Sequence, residues 1–75
     1  MKSPNEFWLC LHDLGRAVRS EGQTGEEQMV NVLDTFRDMP ALAQREVILD
    51  LSELLAFLPE VYGAVHDAVC GEWKS

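Results

Sequence analysis

The residues in this sequence that could most directly bind a metal ion are two histidines and two cysteines. His66 and Cys70 are four residues apart, so they would share one face of a helix, and with Cys10 and His12 they make up the four ligands of a structural zinc site. Cys10 and His12, however, point about 200° apart around a helix, so both cannot reach one ion. Neither the C-x-x-C nor the H-x-x-x-H spacing is present. We expect no metal and no cofactor, with His66 at a surface or boundary and Cys70 as a small packing residue.

The sequence gives equally little support to catalysis. Asp67 follows His66 directly and would point about 100° away from it on a helix, and no serine or cysteine is placed for His66 to activate. The segment 22–25 precedes a helix, where phosphate could bind, but two glutamates follow it and no lysine does. The carboxylates lack the apolar pocket that would raise the pKa of one of them for acid catalysis. We therefore expect a protein that is not an enzyme.

A disulfide between Cys10 and Cys70 is an alternative role for the cysteines. In an up-and-down bundle the first and last helices are antiparallel neighbours, which would bring the two residues together. The first eight residues, MKSPNEFW, do not resemble a signal peptide, and the longest apolar run, LLAFL, is too short to span a bilayer. We expect free thiols in a cytoplasmic protein that does not bind membranes.

The net charge restricts the possible partners. Thirteen acidic residues against six basic ones give a charge of −7. Direct binding to DNA, RNA or an anionic membrane requires a cationic face, and six basic residues spread along the chain cannot form one. The charge favours either a basic protein partner or solubility alone.

Helix start and stop signals predict an all-α fold. Ser3, Pro4 and Glu6 form an N-terminal cap, Thr24 and Glu27 repeat the cap, Pro40 separates two helices, and Pro59 disfavours helix at the residue before it. We predict an up-and-down four-helix bundle in one domain, residues 1–75, with helices at about 4–21, 25–38, 41–57 and 60–71. The alternative has three helices, the last one kinked at Pro59.

Apolar residues with helical spacing predict the core. They are Phe7, Trp8, Cys10, Leu11, Leu14, Gly15, Ala17 and Val18 in the first helix, Met29, Val30, Val32, Leu33 and Phe36 in the second, and Val47, Ile48, Leu51, Leu54, Leu55 and Leu58 in the third. A domain this small cannot bury every apolar residue. We expect the remainder at the surface, namely Leu9, Leu42, Leu49 and Phe57, together with a stripe along the fourth helix formed by Tyr62, His66, Val69 and Trp73. In the alternative, the third helix packs on two sides and buries Leu42, Leu49 and Phe57.

Negatively charged residues lie in rows along the outer faces of two helices, with few positive charges among them. Glu27, Asp34 and Asp38 form what we call the acidic ridge on the second helix, and the third helix carries Glu46, Asp50 and Glu53. Such rows lack the stabilising pairs of opposite charge and create a directional field. The surface is either merely acidic or a docking face for a basic partner.

Together these features predict a non-catalytic protein–protein interaction module that binds a second copy of itself or another protein. The predicted partner-binding residues are Leu42, Glu46, Leu49, Asp50, Glu53, Tyr62, His66 and Trp73. The alternative is an acidic inhibitor or nucleic-acid mimic that docks on a basic nucleic-acid-binding protein. Hydrophobic docking should survive half-molar salt, whereas the binding of a phosphate mimic to its partner should weaken steeply as the salt concentration rises.

Overall fold

The computed structural model describes residues 1–20 and 25–74. These residues form four helices, which are α1 (Pro4–Arg19), α2 (Glu26–Arg37), α3 (Ala41–Leu54) and α4 (Pro59–Lys74), and they contain no strand. The predicted all-α, four-helix fold is therefore confirmed. The three-helix alternative is wrong, because the chain leaves the helical path between α3 and α4.

The start of α1 follows the predicted cap. The Ser3 hydroxyl accepts a hydrogen bond from the Glu6 amide at 3.4 Å, and Pro4 occupies the first helical position. The helix ends at Arg19, two residues before the predicted end, and the amide of Ser20 closes it on the Ala17 carbonyl at 3.2 Å. The predicted stop at Gly22 lies outside the described residues.

The start of α2 depends on Gly25, which is the N-cap residue and makes no side-chain cap bond. Its φ of 77° lies in the left-handed region, and a Cβ added there would lie 2.9 Å from Cδ1 of Leu14. Only glycine fits this position without displacing α1. The predicted capping residue, Thr24, lies outside the described residues.

The boundary between α3 and α4 differs from the prediction on both sides. Helix α3 ends at Leu54 rather than near residue 57, and the Phe57 amide closes a tight turn on the Leu54 carbonyl at 3.0 Å. Helix α4 begins at Pro59, where the missing N–H of proline costs nothing. It also continues beyond Gly71, the predicted end, to Lys74.

The helices pack mainly as two pairs, α1 with α2 and α3 with α4. The pairs meet through α2 with α4 and α1 with α3, whereas α1 and α4 touch only weakly. The Lys2 amide donates to the Asp38 carbonyl at 3.0 Å, which ties the start of α1 to the end of α2. The Gln44 side chain donates to the Phe36 carbonyl at 2.7 Å, which ties the start of α3 to the end of α2.

The core contains residues from all four helices. Its centre is aromatic, with the Phe7 ring edge-on to Phe36 at 6.2 Å and to Trp8 at 5.3 Å between centroids. The fully or almost fully buried apolar side chains are those of Phe7, Leu11, Leu14, Ala17, Val32, Phe36, Met39, Val47, Leu51, Val65 and Val69.

Three predicted core residues are exposed instead. Val18, Val30 and Leu58 expose 44%, 55% and 42% of their surface. Val18 lies in the last turn of α1. It lines a groove together with Met29 of α2 and Val61 of α4. Val30 lies at the flank of the α2 stripe, and Leu58 lies in the connection after α3. None of the four described helices is both long enough and apolar enough to cross a bilayer.

Candidate protein-binding surface

Helix α3 has a side with exposed apolar residues that the other described parts of the chain do not cover. Leu42 and Leu49 expose 78% and 56% of their surface, and Phe57, just after the helix, exposes 76%. Val47 and Leu51, on the opposite side, are fully buried. The alternative in which α3 packs on two sides inside the monomer is therefore wrong.

Carboxylates surround these two leucines. Glu46, Asp50 and Glu53 are all exposed, and none of them forms an ion pair with a described residue. We call Leu42, Glu46, Leu49, Asp50 and Glu53 the α3 outer face. It combines two exposed aliphatic side chains with three carboxylates that form no ion pair with a described residue.

The residues expected to form a surface stripe along α4 do not form one surface. Val69 is fully buried, and Tyr62 packs against the core. His66 is half-buried, and Trp73 is 44% exposed. The expectation is wrong for Val69 because the face of α4 that carries it, together with Val65, packs into the core. Trp73 is the most accessible of the predicted partner-binding residues on this helix.

His66 has a neighbour that sequence reasoning did not identify. The Ser52 hydroxyl of α3 lies 3.0 Å from Nε2 of His66 and 3.1 Å from the Ile48 carbonyl. Because the hydroxyl has one hydrogen and the carbonyl can only accept, the Ser52 hydroxyl donates to Ile48 and accepts from Nε2–H. Ser52 and His66 are on different helices, and periodicity within one helix does not reveal such a contact.

The Cys70 thiol lies beside the same imidazole. Its Sγ is 3.8 Å from Nδ1 and 3.7 Å from Nε2 of His66. A sulfur almost equidistant from both nitrogens does not lie along the lone pair of either one. This arrangement suits packing better than joint coordination of an ion. No group of three or more histidine, cysteine, aspartate or glutamate side chains among the described residues could hold a metal ion.

The two cysteines have separate surroundings, and both are free thiols. Sγ of Cys10 lies 3.5 Å from the hydroxyl of Thr35 on α2. That hydroxyl donates to the Asn31 carbonyl at 2.8 Å, so it accepts the Cys10 hydrogen. In a bundle with α1 and α4 side by side, Cys10 would lie near Cys70. Helices α1 and α4 make only weak contact, so the structure gives little support to this proximity.

A cation interrupts the acidic ridge. Glu27, Asp34 and Asp38 are all exposed, but Asp34 pairs with Arg37 at 3.0 Å. Arg37 also reaches both carboxylate oxygens of Glu72 on α4, at 2.6 and 2.9 Å. The hydrogen bond and charge of Glu72 raise the pKa of Arg37, and the hydrogen bond from Arg37 lowers the pKa of Glu72. The ridge is therefore less uniformly negative than the sequence suggested.

Comparison with known proteins identifies no relative. No family model matches the chain, and neither a curated protein nor a solved structure gives a match.

Proposed function

We propose that this protein is a non-catalytic interaction module of the cytoplasm that binds another protein chain through the α3 outer face. The observation that carries the proposal is the exposure of Leu42 and Leu49, at 78% and 56%, seven residues apart on one side of a helix. Two cysteines fall short of the disulfide density of small secreted domains, which supports a reducing compartment.

The energetics favour binding at this face. Burying a leucine side chain that is otherwise in water contributes about 1.5–3 kcal/mol, so two leucines and a neighbouring phenylalanine supply a useful apolar centre. The surrounding carboxylates would form the polar rim that protein interfaces commonly have, and their charge would restrict which partners can approach. Trp73 is a second candidate anchor, because an indole combines a large apolar area with a hydrogen-bond donor.

Tyr62 and His66 have a smaller part in this proposal. Tyr62 packs against the core and His66 bonds to Ser52, so both hold α4 against its neighbours. Any contact they make with a partner would use only the exposed part of each side chain.

The alternative, an acidic inhibitor that mimics nucleic acid, is supported by the net charge of −7 and by the exposed Glu27 and Asp38. The ion pair of Asp34 with Arg37 weakens it, because a phosphate mimic benefits from an unbroken negative row.

A site-specific photo-crosslinker tests the proposal in cells that produce the protein. Placed at Leu42, it should give a defined protein adduct, because this side chain lies in the proposed interface. Placed at Leu9, a leucine of α1 that is 67% exposed, it should give no such adduct. Equal adducts from both positions, or none from position 42, would contradict the proposal.

Photo-crosslinking repeated in cell extracts, with the salt raised before illumination, distinguishes the two functions. Adducts from Leu42 that still form in half-molar salt indicate apolar docking. Adducts that no longer form as salt rises, together with adducts from a crosslinker at Glu27, indicate the acidic mimic instead.

A further inference from the structure

We propose that the partner of the α3 outer face is a second copy of this chain, with its α3 antiparallel to the first and the two Leu49 side chains at the two-fold axis. The inference rests on the proposed function, because it uses the same surface.

The spacing of residues around Leu49 carries the inference. Positions three, four and seven residues away from Leu49 lie on the same side of the helix. In a two-fold antiparallel pair, each residue before Leu49 faces the residue equally far after Leu49 in the second copy. Leu42 then lies opposite the turn of the second copy that holds Ala56 and Phe57, both of which are exposed.

One pair of charged residues around the same centre is self-complementary. Arg45 lies four residues before Leu49 and Glu53 four residues after it, and both are exposed. The antiparallel pair therefore places Arg45 of each copy opposite Glu53 of the other. A parallel pair would instead place Arg45 against Arg45 and Glu53 against Glu53, so the charges select the antiparallel arrangement.

Among the described residues, Arg45 and Glu53 have no such partners. Arg45 has no carboxylate three or four residues away on α3, and Glu53 has no basic residue at those distances. Neither forms an ion pair with any residue in the described part of the chain. Across the two-fold axis, each of them faces a residue of opposite charge in the second copy.

The same charges argue against a generally basic partner. A basic helix on the α3 outer face would meet Arg45 within one turn of Leu49, whereas a second copy supplies Glu53 there. The cost is the long-range repulsion between two chains of charge −7. The Debye length is about 8 Å at physiological ionic strength, so charges of the two copies that lie farther apart than this repel each other only weakly.

Charge exchange across the interface tests the arrangement by sedimentation equilibrium. Arg45→Glu alone and Glu53→Arg alone each oppose like charges, and each should raise the dimer dissociation constant several-fold. Mixed in equal amounts, the two variants should form a heterodimer about as stable as the wild-type dimer, because both ion pairs are then restored. Circular dichroism of each variant should show an unchanged helix content, since both side chains are exposed.

Leu49→Glu gives a second test, because two carboxylates at the axis should raise the dissociation constant by at least roughly tenfold. Leu9→Glu is the matched control and should leave the dimer unchanged. A wild-type chain that stays monomeric at about 1 mM would overturn the dimer. So would a Leu49→Glu variant that still dimerises, or a mixture that does not recover.

The proposed function would still hold if the chain did not form a dimer. If the wild-type chain is monomeric but a crosslinker at Leu42 captures a different protein, only the second copy is excluded. If position 42 captures nothing, the proposed function fails as well.

Discussion

Gly25 is the single residue on which the packing of α2 against α1 depends most directly. Its backbone is left-handed, and a Cβ would come within 2.9 Å of Leu14 and 3.1 Å of Val18. Conformational strain and steric overlap therefore act in the same direction.

We expect Gly25→Ala to lower the free energy of unfolding by about 1–3 kcal/mol, as measured by urea denaturation. Gly71→Ala is the matched control, because a Cβ there meets no atom of the described residues within 4 Å and α4 is helical at this position. That control should raise the free energy of unfolding by about 0.5–1 kcal/mol, the difference in helix propensity. Equal effects of the two substitutions would contradict the packing described for Gly25.

Local chemistry was predictable at this scale, and contacts between helices were not. The sequence predicted the Ser3 cap because the cap, the proline and the glutamate are contiguous. It did not predict that Ser52 lies beside His66, because the two residues belong to different helices and are fourteen positions apart.

Helix α4 shows how a contact between elements changes the length of an element. The sequence predicted an end at Gly71, a common helix stop, yet the helix continues to Lys74. The turn beyond the glycine is joined to α2 by the contact of Glu72 with Arg37, which sequence patterns within one helix do not reveal. Across the four helices, the starts were predicted more accurately than the ends.

We expect the contribution of Glu72 to stability to depend on pH. Arg37 lowers the pKa of Glu72 in the folded protein from its ordinary value of 4.5. The stabilisation by the ionised Glu72 is therefore complete at pH values above the ordinary pKa of 4.5. It is lost as the pH falls through the lowered pKa of the folded protein. At pH 7, Glu72→Gln should have a lower free energy of unfolding than the wild type, and the two should converge in acid.

Denaturation by urea at a series of pH values measures this difference, and high salt should reduce it at neutral pH. Glu46→Gln is the control, because Glu46 forms no ion pair with a described residue. A constant difference between Glu72→Gln and the wild type at every pH would show that the ion pair does not stabilise the fold.

At the scale of the whole molecule, a small aromatic core supports an exposed apolar face. Phe36 is 1% exposed and packs edge-on to Phe7, whereas Phe57 is 76% exposed. The same residue type therefore occupies two opposite environments in one domain.

We expect Phe36→Ala to unfold the protein at room temperature. Its cost of about 3–5 kcal/mol is comparable with the whole stability of a domain this small. Phe57→Ala should change the free energy of unfolding by less than about 0.5 kcal/mol. Thermal unfolding followed by circular dichroism measures both, and a stable, cooperatively folded Phe36→Ala variant would contradict the core described above.

The candidate surface was predictable only in part. The sequence showed that the apolar residues exceed what a small domain can bury, and it identified the carboxylates. It left open whether Leu42 and Leu49 are buried, because helical spacing shows which residues share a face but not which faces are covered. It placed Val30 in the core for the same reason, although that side chain is 55% exposed.

The most direct test of the central claim is the solvent accessibility of leucine and valine methyl groups, measured by NMR with an inert paramagnetic agent at low and high protein concentration. At low concentration the methyl signals of Leu42 and Leu49 should broaden as strongly as those of Leu9 and Val30, since all four side chains are more than half exposed. At high concentration Leu42 and Leu49 should become protected while Leu9 and Val30 stay accessible. Protection of Leu42 and Leu49 at the lowest concentration, or equal accessibility of all four at every concentration, would contradict the account.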